Sequence, residues 1–167
     1  MKIEIRPEER ADQRAIFDIT QAAFDGKPYA DGTEAPIIDQ LRKDGDLSIS
    51  LVALVESDVV GHVAFSPATI GEASNSWYGV GPVSVTPSLQ RRGIGQVLMN
   101  SGLEKLRARN ANGCVLIGDP NYYRRFGFEG DCGLTYEGVA DSNVQLLAFG
   151  SDAPTGEIRF APAFYKF

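Results

Sequence analysis

Residues 83–96 constrain the fold more than any other stretch: Val83-Ser84-Val85-Thr86-Pro87-Ser88-Leu89-Gln90-Arg91-Arg92-Gly93-Ile94-Gly95-Gln96. The run Trp77–Val85 predicts a strand, with Pro82 marking a disturbed or edge position. After Pro87 the pattern predicts a helix over 91–109, with a polar stripe of Gln96, Asn100, Glu104 and Arg107 at helical spacing. A helix that is apolar or small at most other positions packs against a sheet. Between strand and helix lies a loop with two closely spaced glycines, Gly93 and Gly95. A helix start leaves N–H groups unpaired at the positive end of the helix dipole, which holds phosphate well. Glycines let the backbone approach such an anion, and Arg91 and Arg92 add charged donors. This segment points to an α/β fold with an anion site at the turn; its other reading is a helix start merely eased by glycines.

The flanking pattern supplies the rest of the sheet. Lys2 to Arg6 alternates as a first strand, and Ala15, Ile16, Ile19 and Ala23 mark a helix over about 10–24. Asp25-Gly26-Lys27-Pro28 breaks it. Thr33 is expected to cap a second helix, with Pro36 in its first turn, a stripe of Ile37, Ile38 and Leu41, and Gly45 at its end. Strands follow at Ser48–Glu56 and Val59–Ile70, joined by a turn at Ser57-Asp58. Gly113–Ile117 reads as a buried strand, Asp119-Pro120 opens a short helix through about Arg125, and two or three further strands fill 126–160. The expectation is a mixed α/β sheet in a single domain over 1–167. A chain of 167 residues buries about 70% of its unfolded surface, enough for a core without metal or disulfide staples.

Charge and cysteines exclude several classes. A net charge of −6 argues against a nucleic-acid binder, which needs a surplus of Lys and Arg. The charge is uneven: residues 86–109 carry Arg91, Arg92, Lys105, Arg107 and Arg109 against the single acid Glu104. A basic island in an acidic chain fits a local anion site, and equally a solvated helix face. Cys114 and Cys132 form no CxxC or Cys/His cluster, so no metal is expected, and both read as reduced thiols. Met1-Lys2-Ile3-Glu4 has no apolar leader core, and no apolar run reaches the length of a membrane span. The expected address is the cytoplasm, with no membrane partner.

Two familiar phosphate loops fail on spacing. A P-loop needs Gly-Lys-Ser/Thr, but Gly26-Lys27 is followed by Pro28. The dinucleotide fingerprint needs a third glycine where Leu98 stands. Gln90-Arg91-Arg92-Gly93-Ile94-Gly95 instead resembles the Q/R-x-x-G-x-G/A motif of the GNAT (GCN5-related N-acetyltransferase) superfamily. Gly81-Pro82-Val83-Ser84-Val85-Thr86-Pro87 is similar to that family's preceding strand, and Tyr123-Arg124-Arg125-Phe126-Gly127-Phe128 to its Y-x-x-x-G-F element. The likeness spans roughly 1–130. The ending Ile158–Phe164 is similar, less specifically, to a bacterial subgroup of N-acetyltransferases.

The resemblance implies a GNAT-like, mostly antiparallel twisted sheet flanked by helices, with an acyl-CoA cleft beside the central strand. It implies acetyl-CoA as cosubstrate, its pyrophosphate cradled by Gln90, Arg91, Arg92, Gly93, Ile94, Gly95 and Gln96. Val83, Ser84 and Val85 would offer backbone pairing to the pantetheine arm, as a strand edge does. The implied reaction is acetyl transfer to a primary amine by direct attack in a ternary complex. The alternative is a non-catalytic acyl-CoA-binding module of the same fold.

Such a transfer needs a neutral amine, a donor to the tetrahedral oxyanion and a proton for the departing thiolate. A backbone N–H on the central strand would serve the oxyanion. Tyr123 matches the family's proton-donating tyrosine; its other reading is a core tyrosine, and Tyr122 is expected to pack. The family often has Asn seven residues before this tyrosine, and this chain has Leu116. Trp77–Val85 holds no acid to act as base. Glu34, at the head of the Ile37, Ile38 and Leu41 stripe, is the substitute, since partial burial would raise its pKa. It is equally a first-turn carboxylate favoured by the helix dipole. His62, the single histidine, is assigned to structure or to an acceptor pocket. The acidic balance favours a cationic acceptor. Phe160, Phe164, Tyr165 and Phe167 leave internal packing and a homodimer interface both open.

Overall fold

The computed structural model describes all residues, Met1–Phe167. Its elements run β1 (Glu4–Pro7), α1 (Gln13–Phe24), α2 (Glu34–Asp44), β2 (Ile49–Val55), β3 (Asp58–Pro67), β4 (Thr69–Ile70), β5 (Trp77–Val85), α3 (Ile94–Ala108), β6 (Gly113–Ile117), α4 (Pro120–Tyr123), β7 (Leu134–Thr135), β8 (Val144–Ala148) and β9 (Gly156–Arg159). This is a mixed α/β architecture with mostly antiparallel pairing. The chain groups into two compact units: residues 1–65, 81–102 and 162–167, and residues 66–80 and 103–161. No helix is long and apolar enough to cross a membrane.

In the first unit β1, β2 and β3 are antiparallel neighbours, with Ile5 opposite Ala53 and Val52 opposite His62. The second half of β5 lies beside β3, and the Thr86 N–H donates to the Val60 carbonyl at 2.8 Å. Strand alternation then aims the peptide groups of Ser84 at β3 and those of Val83 and Val85 at the opposite edge. Helices α1 and α2 close one face, where Ile16, Ile38, Val52 and Leu54 pack as one buried cluster. Their buried residues recur at three- and four-residue spacing: Ile16, Thr20 and Ala23 on α1, Ile37, Ile38 and Leu41 on α2. Gly45, in the left-handed region at φ 78°, ends α2 by turning its own N–H and that of Asp46 back onto Arg42 and Leu41.

On the other face α3 packs so closely that two glycines are required. Gly61 sits under Leu98 and Ile94, and a Cβ on Gly102 would stand 2.2 Å from the fully buried Phe65 ring. Gly102→Ala should therefore destabilise the protein. Overpacking costs about 1–3 kcal/mol, which outweighs the roughly 1 kcal/mol that alanine gains over glycine in a helix. A thermal midpoint unchanged or raised in this variant would contradict the packing.

In the second unit Trp77–Gly79 of β5 pairs in parallel with Gly113–Val115 of β6, which pairs antiparallel with β8. β9 joins β4 and β7 in a small three-stranded sheet. Trp77, Val115, Leu134, Val144, Leu146 and Ile158 form its core, with Phe160 and Tyr136 packed against it. Phe160 thus packs internally, while Tyr165 and Phe167 are exposed.

Three local expectations are corrected. Helix α3 begins at Ile94, not 91, because Arg91 (φ 64°) and Gly93 (φ 86°) take the left-handed conformation and cannot join a right-handed helix. The β2–β3 turn falls on Glu56 and Ser57, both at positive φ, with Asp58 already paired to Val55. Two residues at positive φ give the twist that a two-residue hairpin needs. Thr33 precedes α2 but its hydroxyl makes no cap bond to the helix; it donates instead to Asp31 at 2.5 Å.

Candidate functional site

The loop that leaves β5 is built to present N–H groups. The Gln90 side-chain amide donates to the Val85 carbonyl at 3.0 Å, tying the loop to the strand it left. Arg91 and Gly93 then reverse the chain through left-handed conformations. The first α3 bond runs from Val97 N–H to Gly93 carbonyl at 3.1 Å, so the N–H groups of Ile94, Gly95 and Gln96 have no acceptor within the helix. Ile94 is buried and anchors the helix start, while Arg91, Arg92 and Gln96 are exposed. Left-handed residues at Arg91 and Gly93 followed by a helix start make a concave run of donors suited to a phosphate group. A pyrophosphate fits the donor set on this chemistry.

Below the strand, the buried Ser84 hydroxyl lies 3.1 Å from that of Thr20, which donates to the Ile16 carbonyl at 2.7 Å. Ser84 therefore spends its side chain inside the first unit, and its peptide groups face β3, so of the three residues 83–85 it is the one turned away from the opposite edge. Because Gln90 occupies the Val85 carbonyl, the outward groups on this edge are those of Val83 and the Val85 N–H.

Glu34 opens α2 beside a cleft of about 680 Å³ within the first unit, lined by Asp18, Phe24, Asp25, Lys27, Ala30 and Glu34 among others. Its Oε2 accepts from the Asp31 N–H at 3.2 Å, while its Oε1 is buried with no hydrogen-bond partner. Burial, with the neighbouring Asp31 carboxylate adding to it, raises the Glu34 pKa above the ordinary carboxylate value. Asp31 moves the other way, held down by the hydrogen bonds from Thr33. Two adjacent carboxylates are thus split, and Glu34 is the better proton acceptor. Phe24 on the cleft wall makes an edge-to-face pair with Tyr29, ring centres 6.2 Å apart.

Tyr123 belongs to the second unit, at the end of α4. Asp119 caps this short helix by accepting from the Asn121 N–H at 2.9 Å. The half-buried Tyr123 ring is seated on Gly118, where an added Cβ would meet its Cε2 at 2.5 Å. Phe126 and Phe128 flank it at 6.3 and 6.1 Å. Tyr122 is committed to packing: Arg125 stacks on its ring at 4.3 Å and donates to its carbonyl at 2.8 Å. Burial raises the Tyr122 pKa.

Some polar residues escaped the sequence reading. Arg42 makes a two-pronged ion pair with Glu8 at 2.9 and 3.0 Å, and the Ser50 hydroxyl donates to that same carboxylate. The Ser50 hydroxyl is also 2.8 Å from His62 Nε2. His62 is fully buried, and burial pushes its pKa down to about 4, so it is neutral at pH 7. It serves the fold of the first unit. Only the polar character of Glu8 and Arg42 was visible in sequence; their pairing across 34 positions was not. Gln145 was missed as well. Its Nε2 donates to the Gly118 carbonyl at 3.0 Å. Cys114 and Cys132 are both free, and Cys114 is buried.

The family described as acetyltransferase (GNAT) domain matches residues 4–130. The chain is 36% identical over 149 residues to the N-acetyltransferase YhbS of Escherichia coli, covering 84% of this chain and 89% of that protein. It is 30% identical over 164 residues to YjhQ of Escherichia coli K12, another N-acetyltransferase by name, covering 92% and 89%. A crystal structure of a GNAT family acetyltransferase from Brucella melitensis in complex with acetyl-CoA is 44% identical, with a TM-score of 0.87 over 98% of each chain. The crystal structure of Escherichia coli YhbS in complex with CoA gives a TM-score of 0.89 at 28% identity, covering 100% of this chain and 94% of that one. The chain belongs to the GNAT acetyltransferase family.

Proposed function

We propose that the protein transfers the acetyl group of acetyl-CoA to a primary amine by direct attack in a ternary complex. The observation that carries this reading is the donor run of Arg91–Gln96 directly after the β5 edge. In this reading the loop N–H groups, with Arg91 and Arg92, hold the pyrophosphate, and Gln90 fixes the loop to the strand. Val83 and the Val85 N–H pair with the pantetheine amides. The cosubstrate supplies the activated acyl group. Glu34 takes a proton from the attacking amine, directly or through water. Tyr123 donates its phenolic proton to the thiolate that leaves as the carbon–sulfur bond breaks. Holding both substrates in line removes any need for a covalent enzyme intermediate.

The Glu34 cleft, with Asp18 and Asp25 on its wall, favours a cationic acceptor with an apolar portion against Phe24. Saturable acetyl-CoA binding by calorimetry, with ATP and NADH as controls, tests the cofactor assignment. A panel of amines then tests turnover. Binding without transfer to any amine would favour a non-catalytic acyl-CoA module instead.

The raised Glu34 pKa has a signed consequence. A base works only when deprotonated, so kcat/KM should fall as pH drops through a value above the ordinary carboxylate pKa of about 4.3. Glu34→Gln should lose this acid limb and most of its rate at neutral pH. A wild-type rate and pH profile in that variant would remove Glu34 from the mechanism.

A further inference from the structure

Gln145 lies on β8 directly opposite Leu116 on β6, and none of it reaches solvent. Partners across an antiparallel pair share a face, so its amide sits beside Leu116 at the end of β6. There the chain leaves the strand at Gly118, and that residue is held twice, once by β8 and once by the residue just before it. The Gly118 N–H donates to the Asn143 carbonyl at 3.1 Å, and Gln145 Nε2 donates to the Gly118 carbonyl at 3.0 Å. The Tyr123 ring rests on Gly118 with no room for even a methyl group between them. Wherever Gly118 is held, the ring is held.

The other end of the same amide is wasteful. Gln145 Oε1 is buried and accepts no hydrogen bond. A buried acceptor without a donor destabilises the folded state, whereas methionine or leucine would fill the same space without one. On stability the two ends of the amide offset each other, since one acceptor stays unpaired while the Gly118 carbonyl gains a donor. What it uniquely provides is the donor to the Gly118 carbonyl.

We propose that Gln145 is the positioning residue for Tyr123, setting the phenol through the Gly118 carbonyl. This rests on the reading of Tyr123 as the proton donor. The test is a kinetic cycle on the full chain with Gln145→Met, Tyr123→Phe and the double variant, with acetyl-CoA and an accepted amine. Gln145→Met should lower kcat about 10-fold, keep the KM for acetyl-CoA within about twofold, and unfold at about the wild-type temperature. In the Tyr123→Phe background the same change should cost less than about twofold, because the group it positions is already gone. Gln145→Leu serves as a second apolar replacement. Full kcat in Tyr123→Phe would defeat the proton-donor reading itself. A slow Tyr123→Phe beside a fully active Gln145→Met, or losses that simply multiply in the double variant, would overturn the Gln145 proposal alone. A marked drop in unfolding temperature in both the Met and Leu variants would assign Gln145 to the fold and overturn it too.

Discussion

Tyr123→Phe is expected to turn over about 100-fold more slowly than the wild type, a loss of about 2.7 kcal/mol in transition-state stabilisation. General acid–base groups contribute about 10²–10⁴-fold, and the lower end applies here for a chemical reason. A thiol has a pKa near 8.5, so its thiolate is a tolerable leaving group even without a proton. The KM for acetyl-CoA should stay near the wild-type value, because the ring is kept and the hydroxyl acts on the sulfur as it departs. The variant should fold: the ring contacts with Gly118, Phe126 and Phe128 do not involve the hydroxyl. Single-turnover rates with saturating acetyl-CoA and amine give the cleanest comparison. A wild-type rate in a folded Tyr123→Phe protein would return the residue to a packing role.

Gly95→Glu should separate folding from cofactor binding by moving them in opposite directions. Gly95 has ordinary helical backbone in the first turn of α3, so it is not held there by a left-handed conformation. Replacing a helical glycine gains up to about 1 kcal/mol, and a carboxylate in the first turn gains about 0.3–1 kcal/mol from the helix dipole. The unfolding temperature should therefore hold or rise. The same carboxylate stands among the N–H groups of Ile94 and Gln96, competing for them and repelling a pyrophosphate. Calorimetric affinity for acetyl-CoA should fall at least about 100-fold, equivalent to about 2.7 kcal/mol. Undiminished affinity would mean that the anion does not sit at this helix start, and the loop assignment would fall with it.

Much of the fold was legible because it is written locally. The strand Gly113–Ile117 and the short helix after Asp119-Pro120 stand where apolar runs and turn residues put them. Glu34 was legible as a residue at the head of an apolar stripe, and its raised pKa follows from that position. The start of α3 was misread by three residues because Arg91 carries no mark of a left-handed conformation, which glycine would have signalled. Thr33 was misread as a capping side chain because Asp31, two residues earlier, competes for its hydroxyl.

The sequence by itself determined the element order except for the split of Val59–Ile70 into β3 and β4, the glycine-eased turn into α3 and the family, since periodicity and turn chemistry act between residues close in the chain. Tertiary structure alone decided which polar groups are spent inside the protein. It gave Arg42 to Glu8, the Ser84 hydroxyl to Thr20 and the Gln145 amide to Gly118. Those partners lie 34, 64 and 27 positions apart. Burial is what makes such a pairing matter, because removing a polar group from water costs energy until a partner is found. Neither the burial nor the partner is encoded in the local pattern around any one of these residues.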